Sequence, residues 1–340
     1  MASPSQLNTK VGDYNFAYFD SGSPGKDVYN TIIIVHGNTH HAGTFLSLFP
    51  HASAFSFRII PVQRRLYGST PYSEEERQII LSGTRKDREK LFDKDGELLA
   101  GFVYNMIQEH HLKEVLVIGW SQGTGFLNLI IDAIPRLDNK TQSCLSEHVH
   151  GFIHWDPPHL MMGFCEPSTG GWTPLHDHTL TLQQQGKVFG KWLSYHFPHR
   201  NLASRDPNTL IYKMDHPVKP PSFSNVHIEQ FLTMVDFGPN GQGDSAMGED
   251  FYQPIMFDRF KRAMLNVGIR KAWKSAKFCC IYGDESPWNV QWSYWTIERL
   301  VTETGSPELT VYFKPMHGAD HFAMSDEPSL VLETIRSLVV

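Results

Sequence analysis

Cysteine is scarce in this chain of 340 residues, with four in all, at positions 144, 165, 279 and 280. So few cannot build a disulfide scaffold, and no CxxC pair is among them. Cys279 and Cys280 sit together in an apolar run and read as buried, reduced thiols. Long hydrophobic stretches are missing too: the longest falls far short of the ~20 residues of a membrane span. The opening, residues 1–10, is polar and lacks the apolar core of a signal peptide. No stretch concentrates Lys and Arg, and 30 basic against 36 acidic side chains give a net charge of −6. That argues against a nucleic-acid or anionic-membrane surface. The sequon Asn139-Lys140-Thr141 stands alone, with no other sign of secretion. The expectation is a cytoplasmic protein. The histidine pairs and sets at 40–41, 176/178 and 148/150/154 lack an HExxH or a Cys/His second half, so no metal and no cofactor is expected.

Apolar material is plentiful. Hydrophobic residues make up 41% of the chain and charged ones 19%, with eight Trp and twenty-two Phe. That suffices for a large core and excludes disorder. The length suits one large domain, or one carrying a substantial insertion. Short apolar runs stopped by Gly or Pro recur at 31–35 (TIIIV), 57–62 (FRIIPV), 115–118 (VLVI), 149–155, 278–282 and 309–313. Runs of this length read as strands buried on both faces of a parallel sheet. Helical spacing fills 97–110, 123–134, 291–302 and 328–339. Residues 11–20 alternate aromatic and polar side chains, as an antiparallel edge pair would. Strand and helix in alternation predict an α/β fold with a mostly parallel central sheet flanked by helices.

Residues 158–254 break this rhythm, holding ten of the twenty-one prolines and no clear buried strand. So long an irregular stretch rarely persists without a role, and a cap inserted into a core of 1–157 and 255–340 is expected. Trp172 and Trp192 are its candidate substrate-lining aromatics.

The chemistry gathers at the strand ends. Gly119-Trp120-Ser121-Gln122-Gly123 follows the VLVI strand and precedes an apolar helix, the context of a nucleophile elbow with Ser121 exposed on a strained turn. A serine hydroxyl needs a base. His321, after the last strand in Gly-Ala-Asp-His-Phe, is placed to serve, with His317 as its rival. A carboxylate must orient that histidine. Asp284 leads, Glu285 is one residue further along the same loop, and Asp156, ending the 149–155 strand before two prolines, is the third candidate. Backbone N–H groups of Gln122 and of Asn38, in the His-Gly-Asn-Thr loop after the first buried strand, would form the oxyanion hole. Arg64-Arg65 and Tyr67-Gly68 follow the next strand and suit either an active-site role or a structural turn.

HG after the first buried strand, GWSQG at an elbow, an acidic loop after a late strand and GADHF near the end together resemble the α/β-hydrolase superfamily, in order along nearly the whole chain. The stretches 64–72 and 286–289 are similar to fungal members. The resemblance implies Ser121 as nucleophile, His321 as base and an acid third, with 158–254 where that family inserts its cap. A serine at the elbow argues against the aspartate-dependent epoxide-hydrolase and dehalogenase branches. One departure stands out: many members carry the acid three residues after the glycine of the late loop, where this chain has Ser286, and some place it on the earlier strand. The function expected is a serine hydrolase cleaving an ester, lactone or thioester of a small molecule through an acyl-enzyme. An acyltransferase or lyase using the same residues, or a non-catalytic small-molecule binder on the hydrolase fold, are the alternatives. Nothing in the sequence sets an oligomeric state.

Overall fold

In the computed structural model, which describes residues 4–339, eight strands form one sheet, six of them at the short apolar runs. They are β1 (Leu7–Val11), β2 (Tyr14–Tyr18), β3 (Asn30–Val35), β4 (Phe57–Val62), β5 (Glu114–Trp120), β6 (Val149–Trp155), β7 (Lys277–Gly283) and β8 (Tyr312–Met316). Their order across the sheet is β1-β2-β4-β3-β5-β6-β7-β8. The first two form an antiparallel edge hairpin that begins at Leu7, before the stretch 11–20 where the pair was expected, and β3 to β8 run parallel.

Successive side chains of a strand point to opposite faces, so a sheet covered on both sides needs apolar residues at every position. Ile33 and Val35 of β3, with Val115 and Val117 of β5, join one core; Ile32 and Ile34, with Leu116, Ile118 and Trp120, join the other. The first core is closed by helices that include Arg85–His110, Gly123–Ala133 and Gln253–Leu265; the second by Pro328–Val339 and the turn Ala42–Leu48. Cys279 and Cys280 are buried and unpaired, one on each face.

Two elements depart from the sequence reading. The helix expected at 97–110 starts at Arg85, capped by the Thr84 hydroxyl accepting from the Asp87 N–H. Its charged opening is a solvated face, on which Arg85 reaches Glu89 one turn on, while Leu91 and Phe92 turn inward. The last strand begins at Tyr312 instead of 309, because Pro307–Leu309 forms a 3-10 turn. As the outermost strand, β8 tolerates Pro315 and leaves Tyr312 exposed.

Residues 158–254 hold no strand among the described residues, only the helices Leu182–Leu193 and Ile228–Leu232 and a series of 3-10 turns. The parallel strands all finish on one edge of the sheet, where Val35 lies in register with Gly119, Trp120 with Trp155, and Gly283 with Met316. The loops leaving β3, β5, β6, β7 and β8 are therefore neighbours in space though spread over the whole chain.

Candidate active site

Ser121 occupies the turn between β5 and the helix Gly123–Ala133, with φ of 53°, the left-handed region that non-glycine residues seldom enter. The turn is tight enough to dictate its glycines. A Cβ on Gly119 would stand 2.4 Å from the carbonyl oxygen of Gly123, and one on Gly123 only 2.1 Å from that of Val35. The Ser121 N–H is anchored on the Trp155 carbonyl at 3.0 Å, tying the elbow to the end of β6.

His321 packs on Trp120, the residue before Ser121. The Trp120 ring stacks on the His321 ring with centroids 4.8 Å apart, and its indole N–H donates to the His321 carbonyl at 3.1 Å. The residue next to Ser121 thus fixes the loop that carries His321. Among the described residues the Ser121 hydroxyl has no hydrogen-bond partner, His321 included; contacts of this kind commonly tighten only around bound substrate.

The carboxylate that meets His321 is Asp156, not Asp284. Asp156 follows β6 at φ 48°, is fully buried, and lies 2.9 Å from His321 Nδ1 through Oδ2. Ser286 Oγ donates to that same oxygen at 2.6 Å, and the Gly283 N–H donates to Oδ1 at 2.9 Å. Ser286, on the turn after β7, thus holds the Asp156 carboxylate at the end of β6. Because a carboxylate only accepts, it fixes the proton of His321 on Nδ1 and leaves Nε2 with a lone pair. Asp284 instead meets Nδ1 of His317 at 2.8 Å and the Gly318 N–H at 2.7 Å, toward solvent. Glu285 is taken by His196 at 2.7 Å and Lys219 at 2.6 Å. The reason is lateral: β6 lies between β5 and β7, so the end of β6 is nearer the elbow than the turn after β7.

The backbone N–H groups of Asn38 and Gln122 have no acceptor among the described residues, and Gln122 is the N-cap of the helix, where peptide dipoles favour negative charge. Trp172 and Trp192, expected to line a substrate pocket, pack instead on each other at 6.4 Å between centroids, with Trp192 buried against Phe189 and Phe197. They build the interior of the 158–254 segment. One residue near the site was not singled out by the sequence: Asp244, which takes a bidentate ion pair from Arg64.

One donor set has metal-ligand spacing. His196, Asp320 and Asp326 bring ligand atoms within 4.8 Å of one another, yet the Ser222 hydroxyl lies between the two carboxylates and bonds both. One hydroxyl hydrogen cannot serve two carboxylates, so a proton on Asp320, given to Ser222 while Ser222 donates to Asp326, satisfies all three. Burial pushes the Asp320 carboxyl up to about 7, against the pull of Ser222. A folded-state pKa above the unfolded value stabilises the fold at low pH, and that contribution is lost as pH rises from about 4 through about 7. Urea midpoints measured across that window should fall less steeply for Asp320→Asn, which stays neutral; equal slopes in both proteins would show that Asp320 is ionised throughout.

No protein-family model matches the sequence, and no curated protein matches it. Solved structures do. A mutant haloalkane dehalogenase DatA from Agrobacterium tumefaciens C58 aligns with TM-score 0.55 at 11% identity, over 100% of this chain and 98% of that one. A putative aryl esterase from Burkholderia cenocepacia aligns with TM-score 0.52 at 15% identity, over 98% of each chain. A thioesterase domain from the curacin biosynthetic pathway gives TM-score 0.52 at 13% identity, over 98% and 99%. Identities this low speak to architecture alone. With the sheet order and the strand-to-helix turn already described, they establish that this chain has the α/β-hydrolase fold.

Proposed function

We propose that the protein is a serine hydrolase that cleaves an ester, lactone or thioester of a small organic molecule through an acyl-enzyme. The observation that carries this reading is the buried Asp156–His321 pair, stacked on Trp120, the residue before a serine held at φ 53° on the strand-to-helix turn. His321 Nε2 takes the proton of Ser121 as its oxygen attacks the acyl carbon. The imidazolium so formed is stabilised by Asp156, itself held by Ser286 and Gly283. Negative charge on the tetrahedral oxygen rests on the N–H groups of Asn38 and Gln122. His321 then returns the proton to the departing alkoxide or thiolate. Water, deprotonated by the same nitrogen, releases the acid and restores Ser121. A thioesterase domain shares the fold, so acyl chemistry has a precedent on it. The 158–254 segment, which supplies Asp244 to this region, would act as the cap that selects the substrate.

A fluorophosphonate probe tests the nucleophile directly. Wild type should be labelled on the peptide that contains Ser121, and Ser121→Ala should stay unlabelled with an unchanged circular-dichroism spectrum. Equal labelling of the two proteins would refute the assignment.

A further inference from the structure

Asp244 lies in the 158–254 segment, buried, yet it is joined to the loops after β3, β4 and β5. Its carboxylate accepts from Arg64 Nη1 at 2.6 Å and Nη2 at 2.9 Å, from the Tyr67 hydroxyl at 2.6 Å and from Asn38 Nδ2 at 2.8 Å. Its backbone carbonyl accepts from Gln122 Nε2 at 2.8 Å. The two uncharged side-chain amides that reach it therefore belong to Asn38 and Gln122, the two residues assigned here to the oxyanion hole.

Neither N–H of the Asn38 side-chain amide is left over for a substrate. Its nitrogen also donates to Asn240 Oδ1 at 2.7 Å, and its oxygen accepts from the Thr39 hydroxyl at 2.9 Å. Arg64, fixed by Asp244, ties down the same loop by donating to the carbonyls of His36 at 3.1 Å and Gly37 at 2.8 Å. Thr39 sits at φ 61°, with its N–H on the Tyr67 hydroxyl at 2.9 Å, and residues 234–236 bond the backbone on either side of His40. A loop so strained, held by partners from outside it, has its direction imposed.

We propose that Asp244 is a positioning residue that aims the Asn38 and Gln122 N–H groups at the oxyanion, so that the oxyanion site is completed by the 158–254 segment and not by the core alone; this rests on the serine-hydrolase reading above. Oxyanion donors act only within a few tenths of an ångström of the right place, and drift of about 1 Å can cost about 10²-fold in rate.

Asp244→Ala would strand the buried Arg64 guanidinium and endanger the fold. The informative variants are Asn38→Ala and Gln122→Ala. Each keeps its backbone N–H and leaves the Arg64–Asp244 pair whole, and each removes one tether. With an aryl acetate, kcat should fall about 10- to 100-fold in each, while KM stays within about twofold. Affinity for an aryl boronic acid, whose tetrahedral adduct on Ser121 places an oxygen in the same site, should weaken in step with kcat. Thermal melting confirms that the variants are folded. If Ser121-dependent turnover is present in wild type and both variants match it, or if kcat falls with boronate affinity untouched, the positioning role is overturned. A wild type without Ser121-dependent turnover or labelling overturns the hydrolase reading itself, and this role with it.

Discussion

Asp156→Asn should lower kcat by about 10⁴-fold, as loss of the orienting acid does in a serine triad, while Asp284→Asn and Glu285→Gln stay near wild type. The substitution barely alters shape, so the expected loss comes from protons. Asp156 presents only acceptors, to Ser286, Gly283 and His321. An amide in its place keeps its oxygen on the Gly283 N–H, which can only donate, and turns its N–H groups toward Ser286, whose hydroxyl can rotate to accept, and toward His321. With Nδ1 of His321 facing an N–H, the neutral ring is stable only with its proton on Nε2, where it cannot accept from Ser121. The cation formed during attack also loses its counter-charge in a fully buried site. KM should change little, because no substrate contact is removed. Steady-state kinetics on an aryl acetate, with near-UV circular dichroism to confirm the fold, decides the matter. Collapse of Asp284→Asn with Asp156→Asn intact would return the acid to the loop after β7.

The same site shows which features a sequence can display. The elbow was legible because it is local: two glycines forced by backbone contacts, a strand before and an apolar helix after, all within a few residues. The parallel sheet was legible because burial on both faces writes a mostly apolar run into each inner strand. The acid was harder. Chain order places Asp284 and Glu285 between Ser121 and His321, but so is Asp156, and what separates them is which strand lies beside which. A signal was present in Ser286, a hydroxyl where an acid is usual, which now serves as donor to the acid next door. Asp244 offered no local sign at all. Its partner Asn38 is 206 residues away, and an aspartate in a Gly-rich stretch reads as a turn. The tryptophans misled for a related reason: an irregular segment needs its own apolar interior before it can line anything else.

His321→Ala should be the most damaging histidine substitution, lowering kcat by about 10⁶-fold, with His317→Ala within about twofold of wild type. The two rings differ in everything that matters. His321 is 1% exposed, stacked on Trp120 and bonded to a buried carboxylate. The His317 side chain is 80% exposed, on a surface pair with Asp284. An exposed pair of this kind contributes little to stability, and it is too far into solvent to hold a proton for Ser121. On the serine-hydrolase reading, nucleophile, base and acid act as one unit, so combining His321→Ala with Ser121→Ala should cost no more than either alone. Additive losses would mean that the two residues act in separate steps. A large loss in His317→Ala would move the base to the outer loop, and would require Asp284 and not Asp156 to orient it. The residual rate in the double variant then measures what the Asn38 and Gln122 N–H groups supply by themselves, about 10³-fold over water if the oxyanion site is intact.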